Sequence, residues 1–373
     1  MGFSIVKDFN LTENAAQAEI NSAVNAKVRE GKANENVEIF SKIVFGKDTS
    51  KYGKKVDTVM NAVKDMASAA DSGDSKAKAE INSIVTVSLQ QPLTQRLNIA
   101  NFFGNSRTVG YDEQLNVEYY QMQASELSKI QAASGAFTFP IIKKRTKTVE
   151  TQNATAGMAI DYRELASGAT DGMAYASEQV LTSLTNQVVL SHINALRSGI
   201  QNATTLKNYA AGITQTNVDE VRKKARRFGQ VAITGDVSAV EKLNDFTGFK
   251  VNSATATEVR YPEAVMEEIL RTGLISTYKN SSVVEMPNSF DLTKLNTAGD
   301  FYGLELPTTD LWFIPQGQLT ALQMINRGGL SSMTATDINT RSEVTRWDLE
   351  FGNYVVPEYI PFIGYIYDSS LAD

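Results

Sequence analysis

His192 is the only histidine in the chain, and cysteine is absent. The missing thiols remove cysteine nucleophiles, thiolate metal sites and disulfides together. A Ser–His–Asp arrangement would need His192 as its base. Its flanks are Ser191 and Ile193, and no Asp or Glu stands within a helical turn of it to orient the ring. The setting predicts an imidazole that is partly exposed or satisfied inside a core. The nearest approach to paired carboxylates, Glu267 and Glu268, falls on the polar face of a helical pattern, where solvation is the default. No phosphate-cradling loop, dinucleotide fingerprint, nucleophile elbow or calcium loop occurs. The chain is therefore expected to be no enzyme and to carry no cofactor or metal.

Charge is the other chemistry on offer. Two segments rich in strand formers, RTVGYDEQLNVEYYQMQ and FTFPIIKKRTKTVETQ, lie within 106–162 with Gln131–Gly135 as a tip between them. The first carries Asp112, Glu113 and Glu118, the second Lys143, Lys144, Arg145 and Lys147. Such a hairpin either pairs its own charges across the strands or presents them to another subunit. A second cluster, Arg222, Lys223, Lys224, Arg226 and Arg227, occupies one helix with Asp219, Glu220 and Glu241 near it. It reads as a solvated or salt-bridged face, with a contact between subunits or with nucleic acid as alternatives.

These groups need elements to hold them. Asn10 and Glu13 resemble a capping box, and apolar stripes follow at 37–45 and at Val56, Val59, Met60, Val63, Met66 and Ala67. Asp71–Ser75 reads as a flexible joint. The longest helix is predicted over 171–198, capped by Thr170 or Asp171 and ended by Gly199. Helix and strand alternate over 212–335. There, TNVDEVRKKARRFG is a helix with Val218, Val221, Ala225 and Phe228 inward. QVAIT is a strand, Ser238 and Glu241 cap a short helix, and Pro262 opens another. In VTRWDLEFGNYVV, Trp347, Leu349, Phe351 and Val355 alternate with Arg346, Asp348 and Glu350. With FIGYIYD this forms a terminal strand pair expected to cover the long helix.

The chain has 373 residues, 42 % of them apolar and 21 % charged, with a net charge of −6. An acidic balance argues against gripping nucleic acid over a broad surface. No secretory leader and no apolar run of about 20 residues is visible, so a soluble chain without membrane contact is expected.

The order of these elements resembles the major capsid proteins of tailed bacteriophages, a fold shared with encapsulin shells and herpesvirus shell floors. AITGDVSAVEKLND resembles the strand and helix of that family's axial domain, and RWDLEFGNYVV with GYIYD resembles its final strands. The resemblance implies an α+β capsid fold. Residues 1–105 would be an N-terminal helical arm and 106–162 an extended β-hairpin loop. Residues 163–211 and 336–373 would form a peripheral domain with spine helix 171–198 on a β-sheet, and 212–335 an inserted α/β axial domain. It further implies pentamers and hexamers of the chain in an icosahedral shell around double-stranded DNA. Portal and scaffolding proteins would be partners, in a virion assembled in the host bacterial cytoplasm. Asp112, Glu113, Glu118, Lys143, Lys144, Arg145, Lys147, Arg222, Lys223 and Arg226 would be the contacts between subunits. Alternatives are an encapsulin-like nanocompartment shell and another self-assembling virion or surface-layer protein.

Overall fold

The computed structural model describes residues 35–97, 102–121, 143–204, 206–246, 271, 273–317, 320–336 and 343–372. The cap at Asn10, the tip at Gln131–Gly135 and the Pro262 helix with Glu267 and Glu268 lie outside them.

Three helices open the described chain: α1 (Glu35–Val44), α2 (Lys55–Asp71) and α3 (Ser75–Leu97). The stripe of α2 buries Val59, Val63, Ala67 and Ala70. At the expected flexible joint the chain reverses tightly. The amide of Asp74 donates to the carbonyl of Ala69 and that of Gly73 to Ala70, both at 3.1 Å. This is the paired bonding that closes a helix through a left-handed residue, and Gly73 supplies it at φ 101°. Helix α3 is buried on several sides at once, with Asn82, Ser83, Thr86 and Ser88 as covered as Ile84, Val85 and Leu89. Its hydroxyls return hydrogen bonds to their own helix, Thr86 to Asn82 at 2.7 Å and Ser83 to Ala79 at 2.9 Å. That removes the cost of placing them in the interior.

A four-stranded sheet lies against these helices. It runs in the order β1 (Gly104–Val109), β12 (Leu322–Thr336), β13 (Glu343–Val355), β4 (Gln152–Ile160), with β1 parallel to β12 and the other pairs antiparallel. The alternation of β13 holds. Trp347, Leu349 and Phe351 enter one core with α1–α3, the short α4 (Tyr162–Ser167) and the first half of α5 (Asp171–Asn202). On the polar side Arg346 pairs with Asp348 at 2.8 Å, and Asp348 accepts from Thr155 at 2.6 Å.

The second sheet has six strands in the order β5 (Asn208–Ala211), β14 (Gly364–Tyr367), β11 (Asp310–Gln316), β6 (Gln230–Gly235), β8 (Ser281–Glu285), β7 (Thr277–Tyr278). Strand β11 is buried on both faces, as befits a central strand. Leu311 and Phe313 face α6 (Gln215–Ala225) and α7 (Val237–Glu241), while Trp312 and Ile314 face Val189, Ile193, Leu196 and Ile200 of α5. One helix, about 48 Å long at 1.5 Å per residue, thus belongs to both cores.

Several expectations are corrected. The terminal strand pair is split, because a 3-10 turn over Pro357–Phe362 carries β14 away from β13 into the six-stranded sheet. Strands β1 and β4, at the two ends of 106–162, belong to the four-stranded sheet and leave the hairpin to β2 (Asn116–Gln121) and β3 (Lys143–Thr148). Gly199 lies inside α5, where a Cβ would stand 2.9 Å from Val355; it serves a close approach of strand to helix, and the helix runs on to Asn202. The short helix is capped by Asp236, which accepts from the amide of Ser238 at 2.9 Å, and not by Ser238 itself. Phe228 is half exposed and stacks on Phe362 at 4.1 Å.

His192 is 1 % exposed and packs edge-on to Phe351. Neither ring nitrogen has a hydrogen-bond partner among the described residues. It is buried, as a core imidazole should be, but not satisfied. Burial lowers its pKa from 6.5 to about 4. Between those values the unfolded chain takes up a proton that the folded chain refuses. Stability is therefore full above pH 6.5 and declines as pH falls toward 4, by about 1.4 kcal/mol per unit at most. His192→Leu is expected to flatten this part of the pH–stability curve, measured by urea unfolding at pH 7, 6 and 5. An unchanged slope would assign the acid loss to carboxylates instead.

Candidate assembly interface

Among the described residues, the β2–β3 hairpin is a charged element whose second strand lies outside both cores. Strands β2 and β3 pair antiparallel, with Glu118 opposite Thr146 and Tyr120 opposite Lys144. All six residues of β3 are exposed. A two-stranded ribbon of this kind is marginal alone, and its root shows how it is held.

Leu115 and Val117 form a small core with Val109 and Ile325. Gly352 comes so close to Leu115 and Val149 that a Cβ there would meet their side chains at 3.3 and 3.0 Å. The hydroxyl of Tyr359 donates to the carbonyl of Tyr120 at 2.6 Å, and the ring of Tyr119 packs on Tyr354 at 5.9 Å. Burial first, then Tyr119, pushes the Tyr354 phenol up to about 12. Ahead of β2, the ring of Tyr111 fills the bulge where the β12–β13 register slips, donating to the carbonyl of Gly329 at 3.1 Å. Gly328 holds φ +66°, and a Cβ on it would lie 2.2 Å from that ring. Gly328→Ala is expected to expel the ring and to cost about 1–3 kcal/mol in backbone strain. Limited proteolysis should then cut the hairpin root faster; unchanged cutting would show that Tyr111 does not anchor it.

The predicted contact residues fall into three groups. Glu118 and Lys144 pair with each other diagonally across the strands at 2.5 Å. Each steadies the other's charge, lowering the carboxyl pKa and raising the ammonium. Glu113 is 3.8 Å from Arg107, and Arg145 donates to Gln121 at 3.0 Å, so both are engaged locally. Asp112, Lys143 and Lys147 are exposed.

On and just after α6, two of the predicted contact cations are engaged within the chain. Arg222 is buried and donates to the carbonyl of Lys279 at 2.9 Å; Arg226 donates to that of Asn280 at 3.1 Å. They brace the β7–β8 turn, whose two residues both adopt positive φ, while Asp219 binds Lys279 at 2.5 Å. Lys223, Lys224 and Arg227 remain exposed.

Sequence reasoning missed the second apolar ribbon, β9 (Phe290–Leu295) with β10 (Tyr302–Leu304). Phe290, Leu295, Phe301 and Tyr302 are all exposed, and Phe301 contacts both Phe290 and Tyr302 edge-on. The signal available was five large apolar residues within thirteen, Leu292 among them, flanking the turn-forming Asn296–Asp300. Among the described residues no three His, Asp or Glu side chains gather as metal ligands, and no helix is long and apolar enough to cross a membrane.

An α+β chain with a braced, exposed, charged hairpin and a second exposed ribbon has the build of a structural protein that works through its surfaces. A family model described as "SPbeta prophage-derived putative capsid protein YonB" matches residues 18–367, and the chain belongs to that family of capsid proteins. It is thus a capsid protein. Among solved structures, a chain of Mycobacterium phage Che8 is similar at 14 % identity and TM-score 0.42, over 70 % of this chain and 86 % of that one. The capsid of cyanophage P-SCSP1u is similar at 12 % and 0.44, over 71 % and 86 %. The holo-SrpI encapsulin complex from Synechococcus elongatus PCC 7942 is similar at 9 % and 0.42, over 74 % and 88 %. No curated protein sequence matches the chain. The assignment rests on the family match.

Proposed function

We propose that the chain assembles with copies of itself, as pentamers and hexamers, into a closed icosahedral shell around double-stranded DNA. The β2–β3 hairpin carries the contact, reaching a neighbouring copy as an extended loop. The described helices over 35–97 belong to the arm 1–105. The spine α5 and the four-stranded sheet act as the peripheral domain, which gains β12 from 212–335 and β1 and β4 from the ends of 106–162. The six-stranded sheet acts as the axial domain, which gains β5 and β14 from 163–211 and 336–373. The observation that supports this reading is β3: six consecutive exposed residues, four of them cationic, on a ribbon that the same chain braces through β2.

The net charge of −6 suits a container that must not adhere to its contents. DNA is then enclosed without sequence-specific binding, and no catalytic step is assigned to the chain. Portal and scaffolding proteins are the expected further partners, and assembly takes place in the host bacterial cytoplasm.

Lys143→Glu combined with Lys147→Glu tests the contact, because both side chains are exposed and neither is used to brace the root. The double variant should keep the wild-type unfolding curve yet sediment as small species under conditions where the wild type forms shells. Shells formed as readily as by the wild type would remove the hairpin cations from the contact.

A further inference from the structure

Among the described residues, strand β4 is an edge strand, paired with β13 on one side. Its sequence, QNATAGMAI, contains no charge and no proline over nine residues. Exposed edges are ordinarily blunted by charge, proline or a covering element, because a free row of amides and carbonyls templates further pairing. The opposite edge, β1, carries Arg107; β4 carries nothing of the kind.

One position on this edge is already occupied in the manner of a strand. The side-chain amide of Gln187, on α5, accepts from the backbone N–H of Thr155 and donates to its carbonyl, each at 3.1 Å. That two-way bonding is what a neighbouring peptide unit would make, and it fixes which backbone groups point outward. By the two-residue period these are the groups of Asn153, Thr155, Gly157 and Ala159. Among the described residues nothing pairs with the outward amides of Gly157 and Ala159.

The space beside this open stretch is shaped to take a chain. A groove of about 680 Å³ runs along it, lined by Gly157 and Met158 of β4, Tyr175 and Gln179 of α5, and Phe290 and Glu305 from the β9–β10 side. Tyr175 is 66 % exposed. Beyond Phe290 the groove continues into the aromatic ribbon. Its four exposed large side chains offer on the order of 400 Å² of apolar surface, a size that marks an interaction site.

We propose that the open edge of β4 and this groove receive an extended strand from a second copy of the chain, which continues the four-stranded sheet and sets its apolar side chains against Tyr175 and Phe290. This rests on the capsid reading, in which each copy is surrounded by others. An uncharged edge facing only solvent would pair indiscriminately, whereas one capped at Thr155 and open at Gly157 and Ala159 fixes a register. Nucleic acid does not fit the groove, because its lining cation Lys294 is paired with Asp291 at 2.9 Å and Glu305 adds a further acid.

Hydrogen exchange on assembled particles and on dissociated subunits of the full chain tests this directly. Peptides covering 153–160 should exchange at least tenfold more slowly in the particle. Ala159→Pro deletes an outward donor at an edge position that tolerates proline. It should raise the concentration needed for assembly by about tenfold or more, while Ala159→Ser leaves it unchanged. Tyr175→Glu should act like the proline without touching the backbone. Particles whose 153–160 amides exchange as fast as in the free subunit would overturn the inference and leave the capsid reading standing. A chain that never forms particles would overturn both.

Discussion

Trp347→Ala will leave a subunit that barely folds. The indole is fully buried in the core shared by α1–α3, the four-stranded sheet and the first half of α5, and its Nε1 donates to the hydroxyl of Thr86 at 3.0 Å. Truncating a buried tryptophan costs about 3–5 kcal/mol through lost transfer energy and the cavity left behind. That is a large part of the roughly 5–15 kcal/mol that holds a domain together. The Thr86 hydroxyl, on α3, would keep its bond to Asn82 but lose the donor it accepts from. Trp347→Phe keeps a ring but not the donor, and should cost clearly less. Urea unfolding of dissociated subunits measures both, as a fall in midpoint with little change in slope. A midpoint for the alanine variant within a few tenths molar of wild type would show that the core does not depend on this residue.

Asp310→Ala is expected to have an effect of similar size for a different reason. Asp310 has no exposed surface. It receives Arg197 at 2.7 Å, the hydroxyl of Tyr365 at 3.0 Å and that of Thr309 at 3.0 Å. Arg197 comes from α5 and the others from the six-stranded sheet and its approach, so one carboxylate ties the spine helix to that sheet. Burial, and then the charge of Asp310, raises the Tyr365 phenol well above its ordinary pKa. Removing the acid strands a half-buried guanidinium and a buried phenol, which costs about 3–5 kcal/mol; replacing the whole pair would cost less. The double variant with Arg197→Ala should therefore be less damaged than the two single losses added together, by about 1–3 kcal/mol. Additive losses would mean that Asp310 acts through its other neighbours.

How much of this was legible depended on whether the signal was local. The stripe of α2, the alternation of β13 and the helix-then-strand order of α6 and β6 all follow from spacing along the chain. Helix α3 was hidden because it is buried on several sides, and Ser and Thr that bond back to their own helix erase any stripe. The parallel pairing of β1 with β12 joins residues more than two hundred positions apart, and nothing in either segment announces the other. Gly199 carries the residue type of a helix end but serves a close approach, which only the partner Val355 reveals. Within the candidate interface, the charges of the hairpin were visible as a pattern. The engagement of Arg222 and Arg226 within the chain was not, because their acceptors are backbone carbonyls of a distant turn. The aromatic ribbon was overlooked since short strands around a turn look like any loop until they pair.

Sedimentation velocity of the purified full chain across a concentration series, with negative-stain electron microscopy of the fastest fraction, tests the central claim most directly. The account predicts closed shells, or rings of five and six, above a threshold concentration. A chain that sediments as a monomer at every concentration, with no particles on the grid, would contradict it.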